Sequence, residues 1–272
     1  MSFLPTHEVL TARGVEPKRL SFILHGILGS GRNWRTIARK LTRRRPDTGY
    51  VIVDLRNHGS SQGAPAPHTL ASTAADLVSL AEHIGYPTEV IGHSFGGKVA
   101  LKYAELWPKA LERVWVLDSR AGAEPPDPTN DVLLVLKALR QVPQPLASRE
   151  SLVEILTAAG FSQMLASWMT TNLRRSDDGF IWAFNLDAVD AMIADYWAQD
   201  LWPVLRAPPC PIDVVRAGKS DRWPAHIVRR FATEAGRDVR MHVLPDAGHW
   251  VHVDDPDGLL ALLAPDTTPP SN

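Results

Sequence analysis

The chain has 272 residues, 44% of them hydrophobic, which is enough to bury one large core. Its 29 basic and 30 acidic residues leave a formal net charge of -1, too little field to hold nucleic acid or an anionic membrane surface. The single cysteine, Cys210, stands between Pro209 and Pro211 with no histidine close in sequence, which excludes an intrachain disulfide and argues for an inert buried thiol.

The opening MSFLPTHEVLTARG lacks the charged and apolar regions of an export signal. No later segment approaches the roughly 18 apolar residues of a membrane span. A soluble cytoplasmic protein, monomer or homodimer, is the expectation. The first buried strand is expected at LSFILHG (20–26), followed by a helix over 34–41. The basic run Arg39-Lys40 and Arg43-Arg44-Arg45 then reads as the solvated end of that helix. YVIVDLR (50–56), a helix over 70–84, TEVIGHS (88–94), a helix over 97–106 and RVWVLDS (113–119) continue the alternation. Between 120 and 206 the rhythm stops. Proline-rich links (EPPDPTND, VPQPLAS) and helical patterns predict a helical lid carrying Trp168, Trp182, Trp197 and Trp202. PIDVVRAG (211–218), a helix over 226–235, RMHVLPD (240–246) and a helix over 258–263 complete the pattern, and 265–272 reads as a flexible tail. Strand alternating with helix predicts an α/β fold, a mostly parallel sheet with helices on both faces. The core comprises 1–119 and 207–264, with the lid at 120–206.

VIGHSFGG (90–97) places Ser94 in a G-x-S-x-G pattern directly after a strand and before a helix. That context raises the hydroxyl above the sheet edge and points the helix's positive end at any oxyanion formed there. His93 is adjacent to the serine and cannot align with its Oγ; packing is its expected role. The base is expected at His249 in DAGHWVHVDDP, in the loop after the last strand, where α/β sites collect. His252 makes an H-x-x-H spacing with His249, but Gly248 and Pro256 disfavour the helical geometry a metal site needs. Two aspartates compete for the acid: Asp118 ends its strand and Asp221 follows the next, both at the same edge. The oxyanion donors are expected to be the amides of Phe95 and of Ile27 in FILHGILGSG. That glycine-rich loop lacks the G-K-[ST] ending of a phosphate cradle. Leu28, Trp168, Phe180, Trp182 and Trp250 are the expected substrate-binding residues.

HGILGSGRNW, DLRNHGSS, GHSFGGK, TNLRRSDDGFIWAFNLDAV and DAGHWVHVDDP together resemble the α/β-hydrolase family. Within it they resemble the small esterases related to abhydrolase domain-containing protein eleven. The lid pieces are the specific part of the likeness. The resemblance implies Ser94 as nucleophile, His249 as base, Ile27 and Phe95 as oxyanion donors, and it favours Asp118 over Asp221, with Asp187 in the lid as a third candidate. It implies a carboxylesterase acting on short to medium acyl or small aromatic esters through an acyl-enzyme, with no cofactor and no metal. A thioesterase, lactonase or C-C bond hydrolase would use the same residues. A non-catalytic binding protein with a vestigial triad is the alternative of another class.

Overall fold

The β-branched runs form strands because their alternate side chains fill two apolar layers, one on each face of a sheet. The computed structural model describes residues 3–125 and 130–265. The chain runs β1 (His7–Leu10), β2 (Arg19–Leu24), α1 (Arg35–Arg44), β3 (Thr48–Val53), α2 (Leu70–Ile84), β4 (Glu89–His93), α3 (Phe95–Leu106) and β5 (Arg113–Leu117). An excursion follows, with α4 (Asp131–Leu139), α5 (Arg149–Ala158), α6 (Gln163–Met169), β6 (Leu173–Ser176), β7 (Gly179–Trp182), α7 (Leu186–Ala198) and α8 (Trp202–Arg206). The chain then returns through β8 (Ile212–Ala217), α9 (Ala225–Glu234), β9 (Val239–Leu244), α10 (Val251–Asp254) and α11 (Pro256–Leu263). Residues 126–129 of the EPPDPTND link and the tail from 266 onward lie outside the described residues.

The seven-stranded sheet has the order β1-β3-β2-β4-β5-β8-β9, parallel throughout except for β1. Phe22 and Leu24 face one layer with Val90, Val116 and Val214, covered by α2, α3 and the excursion. Ile23, Ile91, Trp115 and Val215 face the other, covered by α1 and α11. β4 lies in the middle, so the loop after it opens at the centre of the sheet's C-terminal edge.

Three features differ from the sequence expectation. β1 is an antiparallel edge strand whose half-exposed residues lack the buried β-branched signature used to find the others. The excursion is not wholly helical: Leu173–Ser176 and Gly179–Trp182 pair as a hairpin around Asp177 and Asp178, outside the main sheet. The basic end of α1 is more than solvated. Arg45 reaches the buried Glu89 at 3.1 Å and Lys40 reaches Asp257 at 3.1 Å, tying α1 to β4 and α11.

Two buried cations organise the approaches to the sheet edge. Lys98 on α3 is almost wholly buried, and its Nζ donates to the carbonyls of Gly122, Tyr196 and Gln199 at 2.7, 2.6 and 2.9 Å. Burial pushes its pKa down to about 8, against the opposing pull of Glu124 and other nearby charges. All three of its protons are thus spent on carbonyls at the two ends of the excursion, fastening it to the helix behind Ser94. Arg56 makes a two-point pair with Asp76, Nε to Oδ2 at 2.7 Å and Nη2 to Oδ1 at 3.0 Å, and also donates to the carbonyls of Pro65 and Pro67. It therefore shapes the 56–68 loop from beneath. Replacing Asp76 with Ala strands a guanidinium that cannot lose its proton. A loss of about 3–5 kcal/mol in urea-denaturation stability is expected, and a loss below about 1 kcal/mol, the range of an exposed ion pair, would contradict this role.

Candidate active site

Close packing produces the turn at Ser94. A Cβ on Gly92 would lie 2.1 Å from the carbonyl oxygen of Gly96, and one on Gly96 would lie 2.6 Å from that of Leu24. Only glycine lets β4, α3 and β2 come this near. The chain then turns from strand to helix within one residue, and Ser94 takes φ 53°, ψ -116°. Its amide is held by the Leu117 carbonyl at 2.9 Å. Leu28 (φ 59°) and Asp118 (φ 44°) are also non-glycine residues with positive φ, and both flank Ser94 on neighbouring loops. Strained backbone is thus concentrated at this edge of the sheet.

His249 joins the parts. Its Nε2 lies 3.1 Å from Ser94 Oγ, and its Nδ1–H donates to Asp118 Oδ2 at 2.7 Å. Asp118 is fully buried, and its other oxygen accepts from the Ala217 amide at 3.0 Å and the Trp223 indole at 2.8 Å. Burial alone would raise its pKa; the bond and charge of His249, with the Ala217 amide and Ser220 hydroxyl, outweigh it and hold the carboxyl below its usual range. Burial also dominates at His249 and lowers its pKa, against the opposing pull of Asp118. The imidazole is therefore neutral at pH 7, with Nε2 free to accept the serine proton.

The other acid candidates lie elsewhere. Asp221 is exposed in the loop after β8 and makes no hydrogen bond to His249. Asp187 lies exposed in the first turn of α7, paired with Arg140. His252 turns away from His249 to stack on Trp34 at 4.3 Å, so the H-x-x-H spacing does not converge on one point. Among the described residues no group of three or more histidines, cysteines or carboxylates is placed to hold a metal. Cys210 is buried and its thiol is pushed up to about 11, which leaves it inert.

The amides of Ile27 and Phe95 donate to no atom of the described residues, and α3 begins at Phe95. Two histidines fix the loop that carries Ile27. His58 Nε2 accepts from the Leu28 amide at 3.2 Å while its Nδ1–H donates to the Arg56 carbonyl at 3.0 Å. His25 Nε2 accepts from the Leu55 amide at 2.9 Å. Accepting at Nε2 requires neutral rings, and burial supplies that by lowering His25 to about 4 and His58 to about 3. His93 does more than pack: it donates from Nε2 to the His249 carbonyl at 2.7 Å, anchoring the histidine loop to the serine turn.

Ser94 and His249 open into a cavity of about 350 Å³. Of the expected substrate-binding residues, Leu28, Trp168 and Trp250 line it together with Ile27, and the two tryptophan rings lie 5.2 Å apart. Phe180 and Trp182 do not. They sit on β7, where Phe180 packs under the Arg149 guanidinium and Trp182 stacks on Phe184. Instead α4 and α6 contribute Val132, Val135 and Leu165. Sequence reading also passes over His58, Arg222 and Trp223. His58 falls within DLRNHGSS, which assigns it no role, and the clue to Arg222 and Trp223 is position, on a loop at the edge of the sheet where Ser94 was expected.

Among the described residues no helix is long and apolar enough to cross a membrane. A family model described as the alpha/beta hydrolase family matches residues 22–262. The sn-1-specific diacylglycerol lipase ABHD11 of Mus musculus is 30% identical over 251 residues, 87% of this chain and 77% of that protein. Esterase YbfF of Escherichia coli K12 is 26% identical over 250 residues, 89% of this chain and 90% of that protein. A solved marine microorganism esterase has the same fold, with a TM-score of 0.83 and 24% identity over 96% of this chain and 98% of that one. The match takes in every strand of the sheet except the first and β2's opening residues, together with the loops that carry Ser94, Asp118 and His249, and the chain belongs to the alpha/beta hydrolase family.

Proposed function

We propose that the protein is a carboxylic ester hydrolase with Ser94 as nucleophile, His249 as general base and acid, and Asp118 as the carboxylate that orients it. The observation that carries this reading is the His249 ring bridging Ser94 Oγ at 3.1 Å and Asp118 Oδ2 at 2.7 Å. His249 Nε2 takes the hydroxyl proton as Oγ attacks the ester carbonyl. The developing oxyanion falls to the Ile27 and Phe95 amides, with the positive end of α3 behind them. The protonated imidazole then gives its proton to the departing alcohol, leaving an acyl group on Ser94. A water molecule, deprotonated by the same nitrogen, releases the acid and restores the serine. Asp118 stabilises the imidazolium at both stages without taking its proton.

The names of the mouse and Escherichia coli relatives, a lipase and an esterase, accord with this chemistry. The excursion acts as a lid, since α4 and α6 form one wall of the cavity. A volume of about 350 Å³ with walls of Ile27, Leu28, Leu165 and Trp168 suits short to medium acyl chains or small aromatic esters. A cytoplasmic location accords with the lone, buried cysteine.

On a p-nitrophenyl ester series, kcat/KM should peak between butyrate and octanoate, and Ser94→Ala should remove turnover. A steady rise out to palmitate would contradict the small cavity, and retained turnover in Ser94→Ala would contradict the nucleophile. Asp118→Asn should lower kcat by on the order of 10³-fold by disturbing the imidazole's tautomer. Asp221→Asn should stay within about fivefold of the parent, as expected of an exposed charge that only tunes the field. The reverse ordering would move the acid to the loop after β8.

A further inference from the structure

Arg222 lies in the loop between β8 and α9, and its side chain forms part of the cavity wall beside Ser94 and His249. The guanidinium makes no ion pair and no side-chain hydrogen bond with any described residue, and its Nε is buried without a partner. Arg56, which is buried beneath the 56–68 loop, by contrast has its charge matched by Asp76. A guanidinium cannot shed its proton, so a partly buried one with an unmet donor is an unfilled binding group. Its charge is near enough to lower the pKa of both His249 and His93.

The carboxylates on the same wall do not satisfy it. Asp131 and Asp254 both line the cavity, but neither comes within ion-pair distance of Arg222, and Asp254 accepts from the Gly248 amide at 2.9 Å. The next residue, Trp223, is committed to Asp118, which fixes the loop and holds Arg222 at the cavity edge.

We infer that Arg222 receives a carboxylate carried by the substrate, so that the preferred substrate is an ester with a free carboxylate in its acyl or alcohol part, close to the scissile carbonyl. The inference rests on the ester-hydrolase reading of the site. The planar fork of the guanidinium matches the two oxygens of a carboxylate. The apolar walls around it thin the screening water and strengthen the pair. Neutralising Arg222 also removes a charge that holds the His249 pKa down, so a bound anionic substrate strengthens the base that acts on it.

Two matched pairs test this. p-Nitrophenyl hemisuccinate against p-nitrophenyl valerate places the carboxylate in the acyl part; 3-butyryloxypropanoate against propyl butyrate places it in the alcohol part. The readout is the charged-to-neutral ratio of kcat/KM, which cancels a general loss of activity. The intact protein should favour the charged member of at least one pair, less so at high KCl, and that pair identifies the side. Arg222→Gln should lower the ratio by about 30-fold or more, and Arg222→Lys, which keeps the charge without the fork, by less. A protein that cleaves the neutral esters with no preference for either charged partner overturns the inference while leaving the ester-hydrolase reading in place. An unchanged ratio in Arg222→Gln overturns it too. Cleavage of neither pair removes both. Should Arg222→Gln fail to fold, the intact protein's ratio and the Arg222→Lys ratio decide the matter.

Discussion

The close approach of β4, α3 and β2 at Gly92 and Gly96 is the constraint from which the site follows. Because neither position has room for a Cβ, the chain reverses from strand to helix at Ser94 with φ at 53°. That conformation is costly for a serine and persists because the packing around it leaves no relaxed alternative. It lifts Oγ above the sheet, opens α3 at Phe95 and puts an unengaged amide beside the hydroxyl. The neighbouring parallel strands end level with β4, so the loops holding Ile27 and Asp118 meet Ser94 without long connections.

Electrostatics at this edge sets one histidine ring apart from the others. His25, His58 and His93 are buried and His252 is half-buried, and loss of solvent keeps each below the ordinary histidine range. Three of them serve as neutral fittings: His58 and His25 accept from the amides of Leu28 and Leu55, and His93 donates to the His249 carbonyl. His249 alone has both a carboxylate behind it and a hydroxyl in front. In the proposed reaction the negative charge of Asp118, fully buried and held by the Ala217 amide, the Trp223 indole, the Ser220 hydroxyl and His249 itself, gives the imidazolium a fixed counter-charge at the moment it forms.

Much of this was legible in the amino-acid order because the signals are local. β-branched runs ending in turns located the six parallel strands, and a serine between two glycines, after a strand and before a helix, located the turn. Which aspartate meets His249 was not legible from the residues. Asp118 and Asp221 end or follow consecutive strands at the same edge, and only the three-dimensional path of the loops brings one to His249 and turns the other to solvent. Phe180 and Trp182 misled because an aromatic pair in a lid resembles a cavity wall, whereas the hairpin at 173–182 turns them to Arg149 and Phe184. His58 stands in DLRNHGSS with no role legible there, and Arg222 carries no motif; their significance comes from which backbone amide, or which cavity, the fold places beside them.

The central claim is that the strained turn presents Ser94 as the single nucleophile activated by His249. Treating the intact protein with a fluorophosphonate and mapping the adduct by mass spectrometry tests it most directly. The account predicts one adduct per chain, on the peptide containing Ser94, with labelling much slower in His249→Ala. An unlabelled protein, an adduct on another residue, or labelling of Ser94 at an undiminished rate in His249→Ala would contradict it.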